Sequence, residues 1–449
     1  MNTVQELRVP KALMNHDERM AADAAHVWHP YAAVGAIPFG EVSGAQGVRL
    51  EFADGQQPID AMSSWWAAIH GYRNPTLDAA AIAQLGRMAH VMFGGLTHEP
   101  AVTLASRLTS MVNGGALTDG ATRGGLERVF FSDSGSVSVE VALKMALQFQ
   151  RGTGHPERTR FVTIEGGYHG DTFGAMSVCD PVGGMHAMFS DVLRQQVFLP
   201  RPPAGLDADI AAWAAACEPV LEQLDDVAGV IIEPVLQGAG GMYIYPPEAV
   251  RWLADQAHAR GWLLILDEIA TGFLRLGETT FAFERVGVRP DILCVGKALS
   301  GGYLSLAATL CTLDVSAGID ASESGVLMHG PTYMANPLAC AVANASLDLL
   351  AEHDVTDRVR TIENGLTSGL APARGLVGVE DVRTIGAVGV IQLDRPVDVP
   401  AATRAALDHG VWIRPFRDLI YAMPPFITSP TDVDQITKAM LAAAEASLP

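Results

Sequence analysis

The feature that most constrains the fold is the alternation of short apolar runs with alanine-rich, helix-like segments. The runs are almost continuously apolar, as expected of strands covered on both faces of a sheet. The order strand, helix, strand predicts a mostly parallel sheet flanked by helices, which is an α/β fold. The candidate strands are 128–132, 160–165, 229–234, 262–268 and 291–296, and the helix-like segments between them include 137–150 and 247–260.

A chain of 449 residues is long for one core, so we expect a large domain and a smaller one. We place the large domain at 76–342 and a small α+β domain at 343–449, entered through a helix at 338–352. The N-terminal segment 1–75 is expected to pack on the small domain and to line the site. Segments rich in Gly, Thr or Pro are predicted to be loops, namely 112–127 and 200–205.

Charge and cysteine content exclude several classes of partner. The formal net charge of -20 disfavours binding to nucleic acid or to an anionic membrane surface. The five cysteines include no C-x-x-C pair, so neither a disulfide framework nor a structural zinc site is expected. The first residues show no apolar signal-peptide core, and the apolar stretches are too short to span a bilayer. We therefore expect a soluble cytoplasmic protein without a metal.

Two residues at strand ends suggest where chemistry occurs. The chain has four lysines, and Lys297 follows an apolar strand, where desolvation would make its amine a better nucleophile. Asp267 ends another apolar strand, at the edge where open α/β sheets bind ligands, and could pair with a protonated pyridine nitrogen. Both side chains are predicted to meet at one sheet edge. Taken alone, each has an ordinary alternative, a strand-end lysine in water and a helix-capping aspartate.

Three further segments could bind a cofactor. Small residues Ser134, Gly135 and Ser136 lie between a strand and a helix, where free backbone N–H groups and the helix dipole can hold a phosphate. Tyr168 lies in a glycine-rich loop and could stack on a planar ring. Thr332 could donate its hydroxyl to a phosphate. The alternatives are a serine N-cap, a turn with an exposed aromatic residue, and an Asn-Pro turn.

Together and in this order, these segments resemble the class III aminotransferases of pyridoxal-phosphate (PLP) fold type I, over nearly the whole chain. The fold implied is a large domain with a mostly parallel sheet flanked by helices plus a smaller α+β domain. The resemblance is strongest to members that transfer an amino group from S-adenosylmethionine to 8-amino-7-oxononanoate in biotin biosynthesis. It is carried by WHPYA (28–32), MSSWWAAIHGY (62–72), GGYHGDTFGAMSVCDPVGGMH (166–186), LDEIATGF (266–273), CVGKALSGGYLSLAATL (294–310), MHGPTYMANPLACA (328–341) and IRPFRDLIYAMPPFI (413–427).

The resemblance implies a role for each matching position toward pyridoxal 5'-phosphate. Lys297 would form the Schiff base and move protons, and Asp267 would pair with the pyridine nitrogen. Ser134 and Gly135 would hold the phosphate. Tyr168 would lie over the ring.

The resemblance also implies a homodimer and a substrate pocket. Thr332, with Pro331, would reach the phosphate of the neighbouring subunit's cofactor. Arg414 would bind the carboxylate of the oxo acid, for which a guanidinium fork is well suited. The remaining pocket residues would be Tyr31, Trp65, Trp66, Tyr168, Arg275 and Gly330.

One segment departs from the family pattern. Where the family usually has G-F-G-R-T-G, this chain has GFLRLG at 272–277, so Leu274 and Leu276 replace a glycine and a threonine. Because this loop lies near the donor end of the family's pocket, the amino donor is left open between S-adenosylmethionine and lysine. Two further hypotheses stay open at this point. One is an aminotransferase for ω-amino acids or diamines, and the second is a protein of this fold that binds PLP without transferring an amino group.

Overall fold

A computed structural model describes residues 14–114, 124–183, 187–352 and 354–448. Its largest sheet has the predicted α/β character. The spatial order of its strands is Leu126–Ser132, Ala307–Thr312, Ile292–Val295, Leu263–Asp267, Val227–Ile232, Arg160–Ile164 and Val197–Leu199. Ala307–Thr312 runs antiparallel to both of its neighbours, and every other neighbouring pair is parallel. The expectation of a mostly parallel sheet is confirmed.

The five predicted strands are all present, and two further strands complete the sheet. Val197–Leu199 has only three residues, and Ala307–Thr312 is built partly from small residues, so neither gave a strong apolar run. The predicted loop at 200–205 contains no helix or strand. The ends of the predicted loop at 112–127 belong to Glu99–Asn113 and Leu126–Ser132, and most of its centre lies outside the described residues, as do residues 1–13.

Helices surround this sheet and connect it to the rest of the chain. The predicted helices at 137–150 and 247–260 correspond to Gly135–Gly152 and Pro247–Ala259, and the one at 338–352 corresponds to Pro337–Leu350. The other α-helices are His16–His26, Pro75–Leu85, Glu99–Asn113, Phe173–Ser177, Ala211–Leu221, Ala282–Val286, Leu313–Asp320, Val355–Leu370, Val399–Asp408 and Pro430–Glu445. Among the described residues, no helix combines the length and apolarity needed to cross a bilayer.

The C-terminal part forms two smaller sheets. Val379–Ile385, Val388–Leu393 and Leu419–Ala422 form an antiparallel sheet, against which Val355–Leu370 packs. In the other sheet, Val411–Trp412 pairs in parallel with Ile59–Asp60, a strand from the N-terminal segment. This sheet continues through Arg49–Phe52 and Val42–Gln46. The N-terminal segment is thereby joined to C-terminal residues, while the domain limits at 75 and 342 stay predictions.

Candidate active site

A cavity of about 910 Å³ opens at the carboxyl edge of the large sheet. It lies where parallel strands end and their loops begin, the usual place for ligands in open α/β sheets. Most of the residues predicted for the site line it: Tyr31, Trp65, Trp66, Ser134, Gly135, Ser136, Tyr168, Asp267, Lys297 and Arg414.

Asp267 is the last residue of the strand Leu263–Asp267 and is almost fully buried. One carboxylate oxygen lies 2.8 Å from Nδ1 of His169, and the other accepts a hydrogen bond from the Ile269 backbone N–H. The His169 ring is itself buried, and its Nε2 has no hydrogen-bond partner among the described residues. The hydrogen bond therefore places a His169 proton on Nδ1, from which it is donated to the Asp267 carboxylate.

Lys297 lies one strand away, separated from the end of Ile292–Val295 by Gly296. Its backbone φ is +43°, a left-handed conformation that is unusual for a residue with a side chain. Burial lowers the pKa of the Lys297 amine, and the nearby carboxylates Asp267, Glu233 and Asp171 act in the opposite direction. A larger share of neutral amine makes Lys297 suitable as a nucleophile and a base.

The helix Gly135–Gly152 begins at the cavity wall. Ser134 is its N-cap residue, and the Ser134 hydroxyl accepts a hydrogen bond from the Val137 N–H. The Ser136 hydroxyl accepts one from the Asp171 N–H and so holds the glycine-rich loop against the helix. The first turn of a helix leaves backbone N–H groups without intrahelical acceptors, which creates an anion site at this end of the cavity.

An aromatic and acidic cluster lies in the glycine-rich loop. The Tyr31 hydroxyl donates to a carboxylate oxygen of Asp171 at 3.3 Å. Tyr168 also hydrogen-bonds with both residues, and burial raises the pKa of its phenol above the usual range. Tyr168 therefore stays a neutral phenol at physiological pH.

Glu233 is a buried carboxylic acid behind Tyr168. It follows the strand Val227–Ile232 and accepts hydrogen bonds from the backbone N–H groups of Tyr168 and Gly238, at 2.9 and 2.8 Å. Burial raises the pKa of Glu233 to about 7. This side chain fixes the backbone from which the Tyr168 ring projects.

The opposite wall is formed by two tryptophans and the C-terminal part of the chain. Trp65 is half-exposed and Trp66 is buried. Arg414 lines this wall and donates one hydrogen bond, to the Pro415 carbonyl, and no carboxylate of the described residues pairs with it. A guanidinium without a counter-ion beside aromatic side chains is suited to a substrate that combines a carboxylate with an apolar chain.

Trp65 and Trp66 lie in an unusual turn. The four residues Ser63–Trp66 all have positive φ, between +45° and +79°. Left-handed backbone costs roughly 1–2 kcal/mol per residue for side chains other than glycine. A run of four such residues must be held by its surroundings.

Four predicted residues lie outside this cavity. Gly330 and Thr332 are exposed and Pro331 is partly exposed, and none of the three lines the cavity of their own chain. Arg275 is fully buried beside Trp66 and donates to the carbonyls of Trp66, Ala387 and Pro424. Burial lowers the pKa of Arg275 to about 9. Arg275 supports Trp66 from the side facing away from the cavity.

The GFLRLG segment is part of the core. Leu274 and Leu276 are buried and belong to the main hydrophobic cluster. Leu274 has a φ of +65°, at the position where the family usually has a glycine. The departure at 272–277 therefore lies in the core behind Trp66, and neither leucine lines the cavity.

The sequence did not predict that His169 would be the partner of Asp267. It also did not predict three other cavity residues, Asp171, Glu233 and Tyr421. Glu233 carried a usable signal, because it is an acidic residue directly after an apolar run, as Asp267 is. Asp171 and Tyr421 had none, because tertiary packing alone brings their segments to the cavity.

The cavity residues fit a PLP molecule by their chemistry. An amine with a lowered pKa suits the aldehyde, and the buried carboxylate of Asp267 suits the pyridine nitrogen. The free N–H groups at the start of Gly135–Gly152 suit the phosphate. All three groups line one cavity.

Comparison with known proteins supports this assignment. The sequence matches the family Aminotransferase class-III over residues 31–444. It is 54% identical over 432 residues to the adenosylmethionine-8-amino-7-oxononanoate aminotransferase of Mycobacterium leprae, which covers 94% of this chain and 96% of the relative.

Solved structures of related enzymes have the same fold. The adenosylmethionine-8-amino-7-oxononanoate aminotransferase of Methanocaldococcus jannaschii superposes with a TM-score of 0.86 at 29% identity, covering 97% of this chain and 100% of that one. A PLP-bound amine transaminase from an uncultivated Pseudomonas species gives a TM-score of 0.84 at 30% identity, with coverage of 94% and 99%. The chain belongs to the class III aminotransferases, enzymes of PLP fold type I that use pyridoxal 5'-phosphate as their cofactor.

Proposed function

We propose that this enzyme transfers an amino group from S-adenosylmethionine to 8-amino-7-oxononanoate, giving 7,8-diaminononanoate in biotin biosynthesis. The observation that carries the proposal is the shared cavity. A lysine and a buried aspartate lie on one side of it, and on the other lie Trp65 and Arg414, which pairs with no carboxylate in the part of the chain that the structure describes. The name of the Mycobacterium leprae relative, 54% identical, supports the choice of substrates.

The residues divide the work of such a reaction. Bound PLP acts as an electron sink, which acidifies the C–H bond next to the substrate amine. Lys297 would be the base that takes this proton and the acid that gives it back, and its lowered pKa favours the neutral amine that a base requires. Asp267, held by His169, would pair with the pyridine nitrogen of the cofactor and favour its protonated form. Arg414 binds the carboxylate of the oxo acid.

Because one cavity must accept two dissimilar substrates in turn, we expect ping-pong kinetics. Initial-rate plots should give parallel lines, and intersecting lines would contradict this order of events.

We also propose a homodimer with shared active sites. Thr332, with Pro331 and Gly330, would serve the neighbouring subunit's cavity, which agrees with their exposure in a single chain. A cytoplasmic location is proposed as well, because all five cysteines are free.

Two different substrate choices have specific arguments. Lysine as donor was suggested by the GFLRLG departure, but the burial of Leu274 and Leu276 makes this argument weaker. An ω-amino-acid or diamine aminotransferase would use the same cofactor residues. Activity with β-alanine, putrescine or 4-aminobutyrate as donor and pyruvate as acceptor would favour that second choice.

A spectral half-reaction tests the proposal. S-adenosylmethionine and lysine are added separately to the purified PLP enzyme, and loss of the cofactor's absorbance band near neutral pH is followed. We expect S-adenosylmethionine to bleach the band and 8-amino-7-oxononanoate to restore it. If lysine bleaches the band and S-adenosylmethionine does not, the amino donor is lysine. If neither amine bleaches it, the substrate assignment is rejected.

A further inference from the structure

We propose that Asp60 is a positioning residue that sets substrate specificity by holding the two tryptophans in their left-handed turn. The tryptophan turn comprises residues Ser63–Trp66, and the clamp comprises Asp60, Ser64 and Tyr72. The proposal rests on the proposed function, since it concerns the same cavity. Asp60 itself does not line that cavity.

The carboxylate of Asp60 accepts three hydrogen bonds from residues in and around the turn. Its Oδ1 accepts from the Met62 N–H at 2.9 Å, and its Oδ2 accepts from the Ser64 N–H at 2.8 Å. The Tyr72 hydroxyl also donates to Oδ2, and it lies 2.6 Å from the Ser64 hydroxyl. These contacts fix the backbone on both sides of Ser63.

Burial makes this arrangement demanding. Asp60 is 1% exposed, so its carboxylate depends on these three donors in place of water. Burial raises the pKa of Asp60, and each of the three hydrogen bonds lowers it. Removing one donor would leave a buried carboxylate less well satisfied and would free the turn to relax toward right-handed backbone.

The C-terminal residues that complete the pocket hold the same turn. The Ser63 hydroxyl donates to the Met423 carbonyl, two residues after Tyr421. The Ala61 N–H donates to the Trp412 carbonyl, two residues before Arg414. Together with the clamp, these two contacts set the position of the tryptophans relative to Arg414 and Tyr421, which line the same cavity.

Removing a single hydroxyl tests the clamp, and the chain offers a matched control. Tyr72→Phe deletes the hydroxyl that donates to Asp60 and leaves the two backbone donors in place. Tyr303→Phe deletes a similar donor to another aspartate, Asp78, in a pair that does not line the cavity. Asp60→Asn is a stronger variant of the same test. Each enzyme is loaded with PLP, and its kcat and KM for 8-amino-7-oxononanoate are measured.

We expect Tyr72→Phe to raise KM by about tenfold with a smaller change in kcat, because substrate orientation is lost while the reacting groups are intact. Asp60→Asn should raise KM further, and Tyr303→Phe should leave KM unchanged. Equal KM values in all three variants and the wild type would overturn the proposal. So would a rise in KM of the same size in Tyr303→Phe, which would indicate general destabilisation.

Hydrogen exchange gives a readout that does not depend on the substrate. Peptides covering 60–72 should exchange faster in Tyr72→Phe than in the wild type or Tyr303→Phe, and unchanged exchange would overturn the clamp. If the wild-type enzyme has no activity with 8-amino-7-oxononanoate, the proposed function is rejected, and the clamp is not. The KM comparison would then use the amine that the wild-type enzyme does convert.

Discussion

Two buried carboxyl groups near the cavity, those of Glu233 and Glu268, should make the stability of the fold depend on pH. Burial raises the pKa of Glu233 to about 7 and that of Glu268 to about 8, against an ordinary value of 4.5. A folded-state pKa above the unfolded one means that the folded chain binds more protons between those values. The stability due to each group is therefore fully present below about pH 4.5 and is lost as pH rises through its folded pKa.

For Glu233 this gives a specific prediction. Between pH 4.5 and 7, the unfolded chain loses the Glu233 proton while the folded chain keeps it. This difference should lower the free energy of unfolding by roughly 3 kcal/mol across the range. Glu233→Gln has no proton to lose, so its free energy of unfolding should fall less steeply over that range than that of the wild type. Urea unfolding at several pH values measures both slopes.

Glu268→Gln is the matched control for that measurement. Glu268 accepts hydrogen bonds from the backbone N–H groups of Ala282 and Phe283 and from the Thr271 hydroxyl, away from Tyr168. In Glu268→Gln, the fall in the free energy of unfolding that is due to Glu233 should remain below pH 7. The part of the fall that is due to Glu268 and extends to pH 8 should be absent. Identical slopes in Glu233→Gln and the wild type would show that Glu233 ionises normally.

His169 allows a prediction about turnover. It makes the hydrogen bond that supports the Asp267 carboxylate, and a hydrogen bond to a charged group contributes about 1.5–3 kcal/mol. His169→Phe should therefore lower the half-reaction rate by about 10- to 100-fold while PLP still binds. Stopped-flow absorbance gives the rate, and an unchanged rate would mean that Asp267 needs no support from His169.

At the scale of elements, the glycine-rich loop meets the start of the helix Gly135–Gly152 at Gly170. A Cβ at Gly170, where φ is +130°, would lie 2.4 Å from the Ser136 hydroxyl oxygen and 2.8 Å from its Cα. Gly170→Ala must therefore displace the loop or the helix start. We expect weaker PLP binding, measured by titration of the apoenzyme.

Gly154→Ala separates this clash from backbone strain. Gly154 follows the far end of the same helix, has a φ of +90°, and would place its Cβ in open space. It should lose stability by about 1 kcal/mol with no change in PLP affinity. Equal PLP affinities in both variants would show that the loop and helix contact does not shape the phosphate site.

How well each element was predicted depended on how local its signal was. The strand ending at Asp267 is a continuous apolar run, and its identity follows from the sequence alone. Ala307–Thr312 pairs antiparallel with Ile292–Val295 and with Leu126–Ser132, the second of which is far away in sequence, so its small side chains gave little local signal.

The candidate site shows the same division. Asp267 ends one strand and Lys297 comes shortly after the neighbouring one, so their meeting was predictable from the parallel sheet. The left-handed turn at Ser63–Trp66 is also held by the Met423 carbonyl, 360 residues away in the sequence, which no local pattern encodes. Arg275 matched its motif, yet its burial beside Trp66 depends on packing against residues more than a hundred positions away.

At the scale of the whole molecule, large apolar side chains are left uncovered on a single chain. Trp28 is 77% exposed and Ile37 is 83% exposed, and Tyr333 is also exposed, next to Thr332. A protein interface would remove apolar side chains of this size from water. A second copy of the chain would cover them and would bring Thr332 to a cavity, in agreement with the proposed homodimer.

Mixing two inactive variants tests whether the sites are shared. Lys297→Ala removes the amine, and Thr332→Asp places a negative charge where a phosphate is expected. In a mixed dimer, the intact Lys297 of one subunit would face the intact Thr332 of the other, so one site of that dimer would work. Unfolding and refolding an equal mixture should recover about a quarter of wild-type activity, since half the dimers are mixed and each has one working site. Each variant refolded alone should stay inactive, and a mixture that also stays inactive would mean that each chain completes its own site.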